Sequence, residues 1–329
     1  MTKRQVARDF RDKHGMEMAT RKAARILYKE NPLLFKDYED ARYVLSQIEG
    51  KRVQKGATIK SITHAHPPRP ENPYKLPDSD AMDYSPYVIQ GHKRGLLMND
   101  VHLPYQDNEA LTATIRYAKK EKPDFILLNG DIIDCHTLSR FVKDPKARSF
   151  AHELEAFRLF FETLQRQFPN TKIYFKIGNH EERYEHFLAM KAGELEGVQE
   201  FKFENIIKAR ANGIEIIGER RYMKLNSLNG IHGHEYVGGI SVPVNIARGL
   251  YLKGKVSAFQ GHNHASSEHN ETNMDGEITT TWSIGCLCNL HPQYMPLNKW
   301  NHGFALVDLD PNGKHFEFRN KRIYKGKVL

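Results

Sequence analysis

Five short motifs concentrate the residue types that bind metals, and each directly follows an apolar run suited to a β-strand. They are N-D-V-H at Asn99 to His102, N-G-D-I-I-D at Asn129 to Asp134, G-N-H-E at Gly178 to Glu181, H-G-H at His232 to His234 and G-H-N-H at Gly261 to His264. Together they offer two carboxylates, one carboxamide and several imidazoles, a donor set for two metal ions. Asp100 and His102 lie two apart, so on an extended exit from a strand both side chains point to one side and one ion can hold both. Asp131 follows Gly130, whose missing side chain lets the backbone turn closely around an ion. A carboxylate has two oxygens and can bridge two cations, which no imidazole does, so Asp131 is the expected bridge. Asn179 adds a neutral oxygen, and His232, His262 and His264 add nitrogens that suit Mn, Fe, Ni or Zn over Mg or Ca. With 17 histidines in the chain, isolated Asp-x-His or His-x-His pairs arise by chance, and His234, His269 and His302 read as structural or surface residues. Five pieces in this order, each at the end of an apolar run, are not a chance pattern.

The elements that must position these motifs read as an α/β domain. Leu96 to Met98, Phe125 to Leu128, Ile173 to Phe175 with Ile177, Ile214 to Ile217 and Val256 to Phe259 look like buried strands, with a weaker run at Leu228 to Ile231. Amphipathic helices are expected over Asn108 to Lys120 and around His152 to Phe168, where Leu154, Phe157, Phe161 and Leu164 recur at three or four residues. Such alternation places a site at the carboxyl ends of strands.

Ahead of this domain, the first 50 residues have helical periodicity, with breaks at Gly15 and Asn31-Pro32 and a third helix expected from Lys36 to about Ile48. The spacing fits a helix-turn-helix unit or a small bundle that docks or mediates oligomers. Pro67, Pro68, Pro70, Pro73, Pro77 and Pro86 then mark a linker or extended wrap. The expected organisation is a basic helical segment over residues 1–60, a Pro-rich linker over 61–90 and a catalytic domain with a basic tail over 91–329.

Charge is segregated along the chain. Residues 1–60 hold 15 Lys and Arg against 8 Asp and Glu, and residues 312–329 hold 6 against 1, whereas the stretch between them has 28 against 31. Basic charge at both ends favours contact with a polyanion by the termini. No run approaches the roughly 20 apolar residues of a membrane span, and no signal-like segment opens the chain, so a soluble, cytoplasmic protein without membrane partners is expected. Cys135, Cys286 and Cys288 are an odd number in spacings unlike those of zinc sites, and disulfides are not expected to matter. Oligomeric state is left open.

The order D-x-H, G-D-x-x-D, G-N-H-[DE], a lone His and G-H-x-H between Asp100 and His264 resembles the calcineurin-like metallophosphoesterase superfamily, over roughly residues 92 to 310. The resemblance implies a four-layer α-β-β-α sandwich of two mixed sheets flanked by helices, with the N-terminal helical segment outside it. It also implies that Asp100, His102, Asp131 and His264 bind one metal, and that Asp131, Asn179, His232 and His262 bind the other. A hydroxide between the ions would attack phosphorus in line while the metals neutralise the phosphoryl oxygens. His180 matches the family histidine that serves the leaving oxygen, and Asp134 the carboxylate that orients it.

Substrate signals are weaker. Cys135 and His136 follow Asp134 where protein phosphatases of the family continue with Arg-Gly, and Glu181 stands where its DNA-repair nucleases more often have Asp. Arg183, Arg140 and Lys143 lie close in sequence to the site loops and are candidate phosphate contacts. Trp282, Tyr294 and Trp300 flank a long segment after the last motif that could wall the cleft, as base-stacking or packing residues. The tail from Lys314 to Lys327 reads as an edge strand with a basic face. The leading expectation is a nucleic-acid or nucleotide phosphodiesterase or nuclease binding DNA through its basic ends. The alternatives are a phosphomonoesterase acting on a protein or metabolite, and a nucleic-acid-binding protein with an inert phosphoesterase domain.

Overall fold

The structure, a computed structural model, describes residues 2–14, 18–49, 84–140, 149–218, 220–236, 239–240 and 244–329. The chain divides into two compact units, Met1–Pro73 and Tyr74–Leu329. In the first, α1 (Lys3–His14), α2 (Thr20–Glu30) and α3 (Tyr38–Ile48) enclose a core of Ala7, Phe10, Ala23, Ala24, Leu27, Phe35, Ala41, Val44 and Leu45. Small alanines at the contacts let these short helices approach closely, and the buried Arg11 and Glu49 form an ion pair beneath them. The Asp37 side chain caps α3 by accepting from the amide of Asp40 at 2.7 Å. Lys22, Arg25 and Lys29 are exposed along α2 at the spacing of one helical face, whereas α3 opens with Glu39 and Asp40.

The linker expected over residues 61–90 lies outside the described residues up to residue 83. Its last residues depart from the expectation, because Tyr87–Ile89 form a strand, β1. The reason is local: beyond Pro86 each residue again carries an amide hydrogen, and β-prone Tyr87 and Val88 can join a ladder.

The second unit continues with β2 (Arg94–Met98), α4 (Asn108–Glu121), β3 (Phe125–Asn129), α5 (Phe150–Gln167), β4 (Lys172–Lys176) and α6 (Glu182–Lys191). Then come α7 (Phe203–Ile206), β5 (Ile214–Ile217), β6 (Met223–Leu225), β7 (Leu228–Gly230), α8 (Ile246–Gly254) and β8 (Ala258–Gln260). It closes with β9 (Ser267–Thr272), β10 (Ile278–Ser283), β11 (His302–Leu309), β12 (Phe316–Tyr324) and β13 (Lys327–Val328). Two mixed sheets result, in the orders β13-β12-β11-β2-β3-β4-β5 and β1-β6-β7-β8-β10-β9.

In the first sheet β2, β3, β4 and β5 are parallel, and β11 returns antiparallel to β2. The apolar runs of β2, β3 and β4 are unbroken because both faces are covered, whereas β5, expected to be a buried strand, lies at the sheet edge and exposes Glu215. Leu97, Phe125, Leu127 and Tyr174 point into the core between the sheets with Phe259, Trp282 and Val307, while Leu96, Met98, Ile126, Leu128, Ile173 and Phe175 face α4 and α5. On the far side of the second sheet, α8 packs over β8, β9 and β10, with Leu250 against Ile231 and Ala258. The four layers are therefore helices, sheet, sheet and helix, as the resemblance implied. The basic tail forms β12 and β13 at the edge of the first sheet. Among the described residues no helix is long and apolar enough to cross a membrane.

Candidate metal centre

The motifs converge where the parallel strands end. Asp100 and His102 follow β2, Asp131 and Asp134 follow β3, and Asn179 and His180 follow β4; His232 leaves β7, and His262 and His264 leave β8. The first two loops run side by side, with the amide of Asp100 donating to Gly130 O at 3.1 Å and that of His102 to Asp131 O at 3.0 Å. Glycine permits the close fit: a Cβ on Gly130 would collide with the His232 ring, and one on Gly178 with the Asp131 carboxylate.

Lone pairs face one another at the centre. His232 donates from Nδ1 to Asn129 O at 2.7 Å, which turns its Nε2 toward Asp131 Oδ2 and Asn179 Oδ1, each 3.2 Å away. Asp134 Oδ1 accepts from His102 Nδ1 at 2.9 Å, which turns His102 Nε2 to within 3.2 Å of His264 Nε2. His264 Nε2 is also 3.3 Å from Asp100 Oδ1, a buried oxygen with no hydrogen-bond partner, and His262 Nδ1 is likewise buried and unpartnered. Asp131 Oδ2 lies between His232 and His102, the latter 4.0 Å away.

A convergence of carboxylate, carboxamide and imidazole lone pairs on so little space fits divalent cations. Among the described residues, ligand atoms of Asp131, His232 and His262 lie within 4.8 Å of one another, as do those of His102, Asp131 and His180 and those of His102, His264 and Cys288. The backbone tells the same story. Asp100, His102, Asp131, His262 and His264 all adopt left-handed conformations, with φ of 52°, 50°, 53°, 65° and 57°. Residues other than glycine pay roughly 1–2 kcal/mol each for this, and such strain clusters at functional sites.

The electrostatics follow from the crowding. Burial disfavours charge on His232, but the Asp131 carboxylate prevails and pushes its pKa up to about 10. Burial, aided by the charge on His232, takes His262 down to about 4. Burial also opposes ionisation of Asp134, yet the bonds from His102 and His180 hold its carboxyl well below the usual carboxylate range.

His180 stands beside this cluster. Its Nδ1 lies 2.9 Å from Asp134 Oδ1 and its Nε2 3.7 Å from Asp131 Oδ2. Arg183, from the first turn of α6, donates from Nη1 to Asp134 O at 2.8 Å and from Nη2 to His180 Nε2 at 2.9 Å. Because a guanidinium only donates, the His180 ring carries its proton on Nδ1. Of the other candidate phosphate contacts, Arg140 is exposed a short way beyond Asp134 and Lys143 lies outside the described residues. Trp282 is packed between the sheets, whereas Trp300 touches the His264 ring with centroids 4.1 Å apart. His234 bonds Glu182 at 3.0 Å while its ring lies beside those of His232 and His262, with centroids 5.4 and 6.5 Å away, and His302 bonds Cys288 O at 2.9 Å.

Three glutamates outside the expected ligand set brace these loops. Glu181 accepts from the amides of Asp131 at 3.0 Å, Ile132 at 2.7 Å, Ile133 at 3.0 Å and Gly178 at 2.9 Å, stapling the second motif to the third. Glu235 accepts from the amides of His232 and Gly233 at 2.9 and 2.7 Å and pairs with the buried Lys176 at 3.1 Å. Glu153 of α5 sits at the turn behind Asp134, where the backbone amides of Cys135, His136 and Thr137 favour its carboxylate. Glu181 closes the third motif and Glu235 directly follows the fourth, a signal for both; Glu153 had none beyond an acid on an amphipathic helix.

The chain is 29% identical over 238 residues to the gene 54 protein of Mycobacterium phage L5, covering 68% of this chain and 91% of that one. The gene 54 protein of Mycobacterium phage D29 is 27% identical over 233 residues, covering 67% and 90%. Among solved structures, Vacuolar Protein Sorting 29 from Cryptosporidium parvum aligns with a TM-score of 0.37 at 13% identity, over 72% of this chain and 95% of that one. Residues 94–280 match the family model of the calcineurin-like phosphoesterases, a stretch from β2 to β10 that takes in all five motifs. With more than half of its length so matched, the chain belongs to the calcineurin-like phosphoesterases and is a metal-dependent hydrolase of phosphoester bonds.

Proposed function

We propose that the protein hydrolyses phosphodiester bonds of nucleic acids or nucleotides. The reaction type rests on the convergence of carboxylate, carboxamide and imidazole groups around Asp131, and the substrate class on the basic charge gathered at both ends of the chain. Asp100, His102, Asp131 and His264 would hold one divalent transition-metal ion and Asp131, Asn179, His232 and His262 the other, with Mn first in order and Fe, Ni or Zn as alternatives. When bound, such a pair supplies Lewis acidity at the phosphoryl oxygens and lowers the pKa of water at the site.

The chain's own residues do the rest. Asp134, anchored to both His102 and His180, fixes the two rings, and His180 Nε2, once released by Arg183, takes up a proton from solvent and passes it to the departing oxygen. Arg183 covers that nitrogen until an anion arrives and then turns its guanidinium to the phosphoryl oxygens, exposing it. Lys22, Arg25 and Lys29 on α2, with Arg322, Lys325 and Lys327 of the tail, supply sequence-independent phosphate contacts.

Purified protein loaded with Mn2+ is incubated with single- and double-stranded DNA and RNA and, in parallel, with phosphomonoesters. Cleavage of a nucleic acid is expected. Turnover of monoesters alone would refute the substrate class and favour a phosphatase.

A further inference from the structure

The loop between β10 and β11 is built against the metal centre and closed by its own bonds. Leu287 donates to Asp100 O at 3.1 Å, and Asn301 donates to His264 O at 2.9 Å, so both ends are tied to backbone of the cluster. Between them the Asn298 side chain donates to Leu290 O at 2.7 Å and to Met295 O at 2.8 Å, while Trp300 N donates to Asn298 Oδ1 at 2.9 Å. A loop so constrained holds its shape.

Its outer residues are apolar yet exposed. Tyr294 is 72% and Leu297 93% exposed, and the Tyr294 ring is angled at 65° to that of Trp300 with centroids 6.4 Å apart. Trp300 in turn lies against His264, and the charges acting most on the Tyr294 hydroxyl include those of Asp134, Arg183 and Asp131. The pair therefore borders the place where a phosphoryl group would meet the cluster. Lone exposed apolar residues need no explanation, but a rigid aromatic corner on a ligand histidine does.

We propose that Tyr294 and Trp300 form a stacking wall for an unpaired nucleobase adjoining the scissile phosphate. The inference rests on the nucleic-acid reading above and narrows it to single-stranded or locally opened substrates. A base has an aromatic face whatever its identity, so such a wall accepts any sequence, while a base paired inside a duplex cannot reach it. Charge complementarity supports the choice of occupant: the phosphate goes to the cationic side at Arg183 and the metals, and the flat apolar base to the rings.

The test is equilibrium binding of thymidine 5′-monophosphate and of 2-deoxyribose 5-phosphate to the full chain with Mn2+, read by tryptophan fluorescence and by competition. The nucleotide is expected to bind about tenfold tighter. Tyr294→Ala should bring the ratio near one without changing the affinity for the sugar phosphate, and Tyr294→Phe should restore it. Equal affinities in the parent protein, no saturable nucleotide binding, or a ratio unchanged by Tyr294→Ala would overturn the proposal. A nucleotide preference that depends on Tyr294, in a protein that cleaves no nucleic acid, would uphold the wall and refute the nuclease reading; cleavage with equal affinities would do the reverse.

Discussion

Replacing Glu181 by Gln tests how the second and third motifs are held together. Each Glu181 oxygen accepts two amides: Oε1 those of Ile132 and Ile133 at 2.7 and 3.0 Å, Oε2 those of Asp131 and Gly178 at 3.0 and 2.9 Å. A glutamine offers one oxygen and one NH2 group, so whichever way it is turned, two buried N–H groups lose their acceptor and face a donor. At roughly 1–3 kcal/mol for each unsatisfied buried donor, the loss is about 2–6 kcal/mol. The assay is urea unfolding of chelator-treated protein followed by tryptophan fluorescence. The chain has only two tryptophans, Trp282 and Trp300, both in the second unit, so the signal reports that unit. A destabilisation below about 0.5 kcal/mol would refute the staple. Because the bonded amides include that of Asp131, the same substitution should also weaken metal binding, whereas Glu182→Gln, on the neighbouring residue, should not produce this combination.

Two further outcomes follow from the same geometry. Arg183→Ala should lower kcat/KM on a generic diester by tenfold or more with metal content unchanged, and Arg183→Lys should recover only part of it; a parallel fall in metal content would make Arg183 a scaffold residue. Glu153 has its pKa raised from 4.5 to about 7 by burial and by Asp134, so between these values the folded state alone keeps the proton. Its contribution to stability is full below pH 4.5 and is lost as pH rises toward 7, at up to about 1.4 kcal/mol per unit. Urea midpoints from pH 5 to 8 should show this slope in the parent protein but not in Glu153→Gln; identical slopes would show that Glu153 does not titrate there.

The sequence is most readable where chain physics is local. Strands β2, β3 and β4 are covered on both faces and therefore appear as unbroken apolar runs, and the ligands sit at their ends because parallel strands deliver loops to one edge. The second sheet was harder to see. Strand β9, Ser-Glu-His-Asn-Glu-Thr, is an edge strand with no apolar face, and only its pairing with β10 defines it. Long-range stapling was also hidden: Glu153 meets the turn behind Asp134 only after α5 has packed, and Arg183 reaches His180 only once α6 has formed. The left-handed backbone at Asp100, His102, Asp131, His262 and His264 carries no glycine signature, since the chain holds ligand side chains there at a conformational cost.

Asp131 is assigned as the bridge of a two-ion centre. Calorimetric titration of chelator-treated protein with Mn2+ tests it most directly, run on the parent chain and on Asp131→Ala. Two ions should bind per chain in the parent, and both should bind more weakly in Asp131→Ala, which removes the one residue assigned to both ions. A single ion in the parent, or an Asp131→Ala protein that still binds two with unchanged affinity, would contradict it.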